Sequence, residues 1–327
     1  MKAVILAGGS GERFWPLSTP EKPKQFLNIF GGKSLIRQSV DRLSSLVRPE
    51  EVFIITSSEL VSATRRELSE VPRSNIIGEP MRRDTAAAVA LGVKSAAVKD
   101  EDVIAFFSSD QLILDVRAFR RAVKKAATIA ARREVIVTLG IKPQFAATGY
   151  GYVNPANGTF VEKPSAAKAR AYLKKGYLWN AGMFIARAGV FKAAFAEFAP
   201  LLLSIKPTAV LYESLPRLSF DYAVMEKLSQ GGRVAVVPCD CGWDDVGSYA
   251  AFDKYFPHDR RGNVREGPVT VVEAEDNICV ARSAKISLLG VKNLVVVTTA
   301  DAVLVADKSQ LSMMKNINSA QAKFAGK

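Results

Sequence analysis

The chain has 327 residues, of which 48% are hydrophobic and 24% charged, a globular composition that excludes a disordered or collagen-like chain. Its 45 lysines and arginines exceed its 32 aspartates and glutamates, and the resulting charge of +13 suits anionic partners. A single histidine excludes mechanisms that need two, and makes Ser-His-Asp chemistry a poor fit. Three cysteines lack the paired spacing of a zinc site, and we predict that they are buried thiols.

The N-terminus opens directly into a strand-like run rather than a signal peptide. No apolar run approaches the roughly 18 residues that a membrane span needs. We therefore expect a cytoplasmic protein without a membrane partner.

Strand-like and helix-like patterns alternate through the first 140 residues. The predicted strands and helices, in chain order, are strand 2–7, helix 34–46, strand 51–56, helix 58–68, helix 84–98, strand 103–107, helix 115–133 and strand 134–140. The helix 84–98 is nearly all apolar and takes Asp84 or Thr85 as its N-cap. This alternation predicts an α/β, Rossmann-like fold with a mostly parallel sheet and helices on both faces. In such sheets, ligands bind beyond the carboxyl ends of the strands.

The predicted helix 115–133 carries much of the positive charge. Val116, Phe119 and Val123 mark one apolar face, and lysines and arginines occupy most of the rest. This pattern predicts a surface helix with a solvated basic side. Aromatic residues are not interleaved with the basic ones, so we expect no nucleic-acid partner.

After about residue 261 the pattern changes to short strands about eight residues apart. They begin near Val269, Ile278, Ile286, Leu294 and Ala302. This spacing predicts a small β-rich, β-helix-like domain, which a polar helical tail follows from Lys308. The predicted domains are therefore a catalytic domain at 1–261 and a C-terminal domain at 262–327.

The first strand ends in a glycine-rich turn, Leu6-Ala7-Gly8-Gly9-Ser10-Gly11-Glu12-Arg13. Three glycines in four residues let backbone N–H groups approach a polyphosphate. The spacing fits neither a dinucleotide fingerprint, since Phe14 takes the third glycine position, nor a Walker loop. Arg13 and Lys24 would add positive charge beside the phosphates.

The string from Leu6 to Phe26 resembles the signature of the sugar-nucleotide pyrophosphorylases. Its details, Phe14-Trp15-Pro16-Leu17-Ser18 and Pro23-Lys24-Gln25-Phe26, are similar to the guanylyl-transferring branch. The resemblance implies that the nucleotide is bound by the turn and by a few later residues. These are Leu6, Ala7, Gly8, Gly9, Ser10, Gly11, Glu12, Arg13, Lys24, Glu79, Pro80, Thr85 and Asp110.

Four of these residues, Glu79, Pro80, Thr85 and Asp110, come from two blocks that depart from the family pattern. Glu79-Pro80 with Asp84-Thr85-Ala86 resembles the base-binding E-P-x-x-x-N-T-A, with Asp84 in place of asparagine. The segment 108–111 resembles P-A-D-H, whose aspartate binds a metal. Asp110 matches that aspartate, while Ser108, Ser109 and Gln111 depart from the pattern.

The sugar-binding blocks of the family also have counterparts. The strings at 149–152, 160–164 and 179–184 resemble T-G-Y-G-Y, F-x-E-K-P and W-N-x-G-M-F. The resemblance implies sugar and sugar-phosphate contacts from Gly149, Tyr150, Glu162, Lys163 and Asn180. The block at 221–227 is expected to pack beside the site, and the block at 243–248 places a second metal-binding aspartate at Asp245.

The family resemblance implies transfer of GMP from GTP to α-D-mannose 1-phosphate, giving GDP-mannose and pyrophosphate. Mg²⁺ would be held by Asp110 and Asp245, with Arg13, Lys24 and Lys163 completing the catalytic set. Two alternatives stay open: another sugar-1-phosphate nucleotidyltransferase, and a non-catalytic nucleotide-sugar sensor on the same fold. The family and the edge of a β-rich domain also suggest a homodimer.

Overall fold

The computed structural model describes residues 1–9, 11–317 and 320. The chain forms two compact units, and both are discontinuous in sequence. Unit 1 comprises Met1–Gly8 and Ile36–Asp244, and unit 2 comprises Gly9–Leu35 and Asp245–Lys327 as far as these are described.

Unit 1 is built on a mostly parallel sheet. Its strands are β1 Lys2–Ala7, β2 Val52–Ser57, β3 Ile76–Glu79, β4 Val103–Ser108, β5 Leu112–Ile113, β6 Ile136–Ile141, β7 Tyr152–Val153, β8 Phe160–Val161, β9 Leu178–Arg187, β10 Val234–Pro238 and β11 Trp243–Asp244. The main order is β10-β6-β9-β4-β1-β2-β3, in which only β9 runs antiparallel to its neighbours. The hairpin β7-β8 joins β9, and β5 pairs with β11. The carboxyl ends of β1, β2 and β3 therefore lie at one edge, where α/β sheets bind ligands.

The α-helices are, in chain order, α1 Leu35–Asp41, α2 Val61–Glu67, α3 Asp84–Ala96, α4 Val116–Arg132, α5 Ala166–Lys174, α6 Ala188–Phe198, α7 Ala209–Ser214, α8 Glu226–Gln230 and α9 Ala250–Tyr255. Consecutive residues of β4 contact helices on opposite faces of the sheet, because strand side chains alternate. The Phe106 ring lies 5.2 Å from that of Phe191 in α6, and the Phe107 ring 5.9 Å from that of Phe119 in α4. The predicted two-sided covering is confirmed.

Several predicted boundaries required correction. Helix α1 ends at Asp41, five residues early, because the chain beyond it forms i→i+3 turns. Strand β3 was not predicted. The N-cap of α3 is Arg83, not Asp84 or Thr85: Asp84 is the first helical residue, has φ +63°, and accepts a hydrogen bond from the Thr85 amide. The helix predicted over 115–133 is α4, Val116–Arg132, and the Asp115 side chain caps it by accepting from the Ala118 N–H.

The C-terminal part of unit 2 forms a β-helix-like stack. Its strands are β12 Val264–Glu266, β13 Val269–Val272, β14 Ile278–Ala281, β15 Ile286–Leu289, β16 Leu294–Thr298 and β17 Val303–Asp307. Alternate strands pair in parallel, giving one sheet β12-β14-β16-β17 and a second sheet β13-β15, with β17 antiparallel to β16. All five predicted strands are present, and β12 is additional. The predicted helical tail is a 3₁₀ helix over Lys308–Met313, and its last residues fall outside the described part.

A ladder of asparagine side chains runs through this stack. The buried Asn277 amide donates to Asn263 Oδ1 at 2.8 Å and to the Val291 carbonyl, and its Oδ1 accepts from the Leu294 N–H. Asn263 donates in turn to the Ala274 carbonyl. These bonds pair backbone groups in successive turns of the stack, among them the Leu294 N–H; the Val291 carbonyl also accepts from the Glu275 N–H.

Candidate active site

Glu79, one of the residues predicted to bind the nucleotide, lies at the end of β3, and Gly8 directly follows β1. The Glu79 side chain is buried, and a Cβ placed on Gly8 would lie 3.9 Å from Glu79 Oε2. The Tyr212 hydroxyl donates to Glu79 Oε1 at 3.2 Å. Burial raises the pKa of Glu79 to about 7, although the Tyr212 hydrogen bond favours the charged form. A carboxylate therefore lies beside the glycine-rich turn and titrates near neutrality.

From Gly9 onwards, the glycine-rich turn, called the phosphate loop below, belongs to unit 2. Gly11 has φ +67°, and a Cβ there would come within 2.4 Å of the Lys24 backbone nitrogen, so only glycine fits. The Lys24 ammonium donates to the Asp245 carbonyl at 2.6 Å, and Arg13 Nη2 lies 3.9 Å from Asp245 Oδ2. The Tyr249 hydroxyl donates to the Phe14 carbonyl. Two distant stretches of sequence thus hold Arg13 and Lys24 together.

Asn180, a predicted sugar-binding residue, lies in β9. Its Oδ1 accepts from the Thr138 hydroxyl at 2.7 Å, and its Nδ2 donates to Asp221 Oδ1 at 2.8 Å. These two bonds fix which side of the amide donates and which accepts. Burial, followed by the nearby Glu162 charge, raises the pKa of Asp221.

Glu162 and Lys163 form an ion pair next to this amide. Lys163 Nζ lies 3.2 Å from Glu162 Oε1; the glutamate side chain is buried, while half of the lysine side chain is exposed. A Cβ on Gly151 would come within 2.5 Å of Glu162 Oε2, so the loop approaches the carboxylate closely. Burial raises the pKa of Glu162. Burial also disfavours the charged form of Lys163. The Glu162 carboxylate, together with Tyr222 and Asp221, nevertheless raises the pKa of Lys163.

Asp110 follows β4, as predicted. The Ser108 hydroxyl donates to Asp110 Oδ1 at 2.8 Å, so one departure from the family pattern orients the aspartate directly. Behind this segment, Arg42 donates to the Gln111 carbonyl at 2.8 Å. Burial lowers the pKa of Arg42 to about 10, which leaves it charged at neutral pH.

The structure places most of the predicted site residues in unit 1. The predicted nucleotide-binding residues of unit 1 lie at or after carboxyl ends of its strands or at the start of α3; they are Leu6, Ala7, Gly8, Glu79, Pro80, Thr85 and Asp110. The predicted sugar-binding residues lie around β7, β8 and β9; they are Gly149, Tyr150, Glu162, Lys163 and Asn180. Gly9, Gly11, Glu12, Arg13, Lys24 and Asp245 belong to unit 2. Ser10 lies outside the described residues. The assignment of these residues to substrates and metal stays a prediction.

Several partners of these residues were not predicted. No motif marks Tyr212, Thr138 or Arg42, Gln111 is noted above only as a departure from P-A-D-H, and Asp221 was expected only to pack beside the site. Among them, Asp221 had a signal, because an acidic residue opens its block. The three cysteines are free and buried, as predicted.

This fold, with a glycine-rich loop after β1 and cations and carboxylates around it, defines a nucleotidyltransferase. A family model described as Nucleotidyl transferase matches residues 2–261. A second, described as MannoseP isomerase/GMP-like beta-helix domain, matches residues 267–317.

Individual relatives narrow the class. The chain is 34% identical to a mannose-1-phosphate guanylyltransferase of Escherichia coli K12, over 96% of this chain and 72% of the relative. It is 37% identical to the mannose-1-phosphate guanylyltransferase RfbM of Salmonella typhimurium, over 96% and 71%. A solved structure named mannose-1-phosphate geranyltransferase, from Thermus thermophilus, superimposes with a TM-score of 0.87 at 32% identity, covering 98% of this chain and 99% of that one. The chain belongs to the mannose-1-phosphate guanylyltransferase family.

Family membership confirms the resemblance and, with the solved structure, the predicted fold class. Within the described residues, no helix is both long and apolar enough to cross a bilayer. The cytoplasmic location and the domain boundary after residue 261 stay predictions.

Proposed function

We propose that this chain transfers GMP from GTP to α-D-mannose 1-phosphate and releases GDP-mannose and pyrophosphate. The observation that carries the proposal is the buried Glu79 carboxylate beside Gly8. A carboxylate can accept two parallel hydrogen bonds, and guanine presents two adjacent donors, N1–H and the 2-amino group. Adenine, uracil and thymine lack this pair. The names of the relatives support the same reaction.

The chemistry needs no nucleophile from the protein, because mannose 1-phosphate carries an ionised oxygen. That oxygen attacks the α-phosphorus of GTP in line; the new P–O bond forms as the bond to the β-phosphate oxygen breaks, and pyrophosphate leaves. The protein has to bring two polyanions together and offset their charge. We assign Arg13 and Lys24 to the triphosphate and Lys163 to the sugar phosphate. Glu162 and Asn180 would bind the sugar hydroxyls.

Nucleotidyltransferases of this family generally use a divalent metal, and we propose Mg²⁺ held by Asp110 and Asp245. The carboxylate donors fit a hard cation that keeps few protein ligands. Among the described residues, no group of three or more His, Cys, Asp or Glu could hold a metal, so phosphate oxygens and water would complete the coordination. When bound, Mg²⁺ would neutralise charge on the reacting phosphates.

The test is pyrophosphate release from GTP, ATP, UTP or dTTP with mannose 1-phosphate and Mg²⁺. We expect the rate of pyrophosphate release with GTP to exceed the rate with each other nucleotide by at least about tenfold. The loss of one pair of hydrogen bonds can produce a difference of this size. Asp110→Asn and Asp245→Asn should each lower turnover by about 100-fold or more. Asp100→Asn, at an exposed ion pair with Lys192, serves as a matched control.

Two results would overturn the proposal. Preference for another nucleotide would contradict the assignment of Glu79 to guanine. Absence of turnover by folded protein that binds GTP would favour a nucleotide-sugar sensor.

We also propose a homodimer formed through the C-terminal strands. β17 is the last strand of its sheet, and Val303 and Val305 on it are 61% and 63% exposed. A terminal strand with outward apolar side chains can pair with a second copy. Light scattering should give twice the chain mass for the native protein and a monomer for Val303→Asp/Val305→Asp; a native monomer would contradict the proposal.

A further inference from the structure

The side chain of Gln111 is buried and makes two hydrogen bonds to different parts of unit 1. Only 6% of the residue is exposed. Its Nε2 donates to the Ala181 carbonyl at 3.0 Å, and its Oε1 accepts from Trp243 Nε1 at 2.9 Å. The side-chain amide therefore donates one hydrogen bond and accepts another, and both partners are distant in sequence.

Each partner leads to a predicted sugar-binding residue. Ala181 follows Asn180 directly in β9, so the Gln111 bond holds the backbone next to that amide. The Trp243 ring packs edge-on against the Tyr150 ring at 5.5 Å. The Trp243 indole, which Gln111 holds in place, therefore packs against the loop that carries Tyr150.

The backbone of Gln111 is fixed as well. Its carbonyl accepts from Arg42 Nη2 at 2.8 Å, and the same nitrogen donates to the Ser39 hydroxyl at 3.0 Å. The Ser39 hydroxyl donates to the Ser108 carbonyl at 3.3 Å. Bonds from Arg42 and Ser39 therefore hold both ends of the segment that contains Asp110.

We propose that Gln111 is a positioning residue that couples the segment carrying Asp110 to the strand and loop that bind the sugar. This inference rests on the proposed function. Side chains in such supporting positions typically contribute about 10- to 100-fold to metal affinity or activity. The coupling should appear in kcat and in the KM for mannose 1-phosphate, whereas the KM for GTP should not change.

The first variant is Gln111→Leu, which leaves the Ala181 carbonyl and the Trp243 N–H without their partner. We expect kcat to fall by about 10- to 100-fold and the KM for mannose 1-phosphate to rise severalfold. The Trp243 indole N–H resonance, assigned with Trp243→Phe, should shift upfield in ¹H–¹⁵N spectra. That readout needs no substrate, so it tests the contact even if the proposed reaction is wrong.

The second variant, Gln111→His, separates positioning from general packing. A neutral imidazole has one N–H donor and one acceptor nitrogen, the same pair that the amide supplies. It should restore kcat to within about threefold of the native value at pH 8, whereas Gln111→Leu should not, because leucine supplies neither the donor nor the acceptor.

Asn75→Leu provides the control. Asn75 is a buried amide of unit 1 whose Nδ2 donates to the Glu50 and Val52 carbonyls and whose Oδ1 accepts from the Ser74 hydroxyl, so none of these bonds reaches a predicted site residue. This variant should lower the melting temperature without changing the kinetic constants of the folded fraction. Native kinetics in Gln111→Leu, or an equal change in the KM for GTP, would overturn the proposal. Loss of turnover in the native enzyme would instead count against the proposed function.

Discussion

The Tyr212 hydroxyl donates a hydrogen bond to the Glu79 carboxylate, although the two residues are 133 positions apart in the chain. Burial raises the pKa of Tyr212, so its hydroxyl stays protonated and can donate throughout the neutral range. The bond favours the ionised form of Glu79, while burial disfavours it. The balance of these two effects sets the pH at which the carboxylate can accept from a base.

The KM for GTP should therefore depend on pH through Glu79. The pKa of this carboxyl is raised to about 7, so the ionised form dominates above that pH and disappears below it. We expect the KM for GTP to fall as pH rises from 6 to 8 and then to level off. Tyr212→Phe removes the bond that favours ionisation, so the same inflection should move to higher pH.

Glu79→Gln is the control for that experiment. Its KM for GTP should exceed the native value by about 10-fold or more, and should show none of the pH dependence assigned to residue 79. An unchanged inflection in both variants would show that the substrate phosphates, not Glu79, cause it.

Gly11→Ala should disable the phosphate loop. The substitution combines a left-handed backbone with a Cβ placed 2.4 Å from the Lys24 nitrogen, so the loop must move. Displacements of about 1 Å can cost about 100-fold in rate, and we expect kcat/KM for GTP to fall by that order.

Gly31→Ala separates backbone strain from steric contact. Gly31 has a similar φ of +71° but no atom within 4 Å of an added Cβ. It should cost about 1 kcal/mol of stability and leave kcat/KM unchanged, as judged by thermal unfolding and steady-state rates. Equal loss of activity in both variants would contradict the steric explanation.

Asn277→Leu should destabilise the C-terminal strands. The substitution removes the side-chain acceptor of the Leu294 N–H and one of the two donors to the Val291 carbonyl, which keeps its bond from the Glu275 N–H. An unpaired buried group costs about 1–3 kcal/mol, so we expect about 2 kcal/mol less free energy of unfolding in urea, followed by circular dichroism. Ser283→Ala removes an exposed bond to the Thr299 carbonyl in the same stack and should cost under about 1 kcal/mol. A similar loss in both variants would rule out a special role for the buried amide.

The elements that sequence predicted well are those whose signal is local. The strand of Lys2–Ala7 is a continuous apolar run, and Asp115 is a side-chain cap next to its helix, so both could be located without tertiary contacts. The Tyr212 hydroxyl and the Gln111 amide act on residues far away in sequence, and nothing near them indicates a partner. Strand β3 has only four residues, which is too few for periodicity to identify.

The asparagine ladder lies between these cases. Asn263 and Asn277 are 14 residues apart, and Asn293 follows 16 residues later, close to the length of two short strands with their turns. This spacing was present in the sequence as a repeat. It could have predicted that the strands stack in coils, in addition to their number.

The bond between Lys24 and the Asp245 carbonyl can form only late in the synthesis of the protein. Its two ends are 221 residues apart, and contacts of such separation form late because the intervening chain must first be made and ordered. A ribosome that has translated the loop of Gly9 to Lys24 still has about two-thirds of the chain to add before Asp245 emerges. The nascent loop lacks Asp245 and Tyr249 until then, so these two contacts can form only after the whole of unit 1 has been translated.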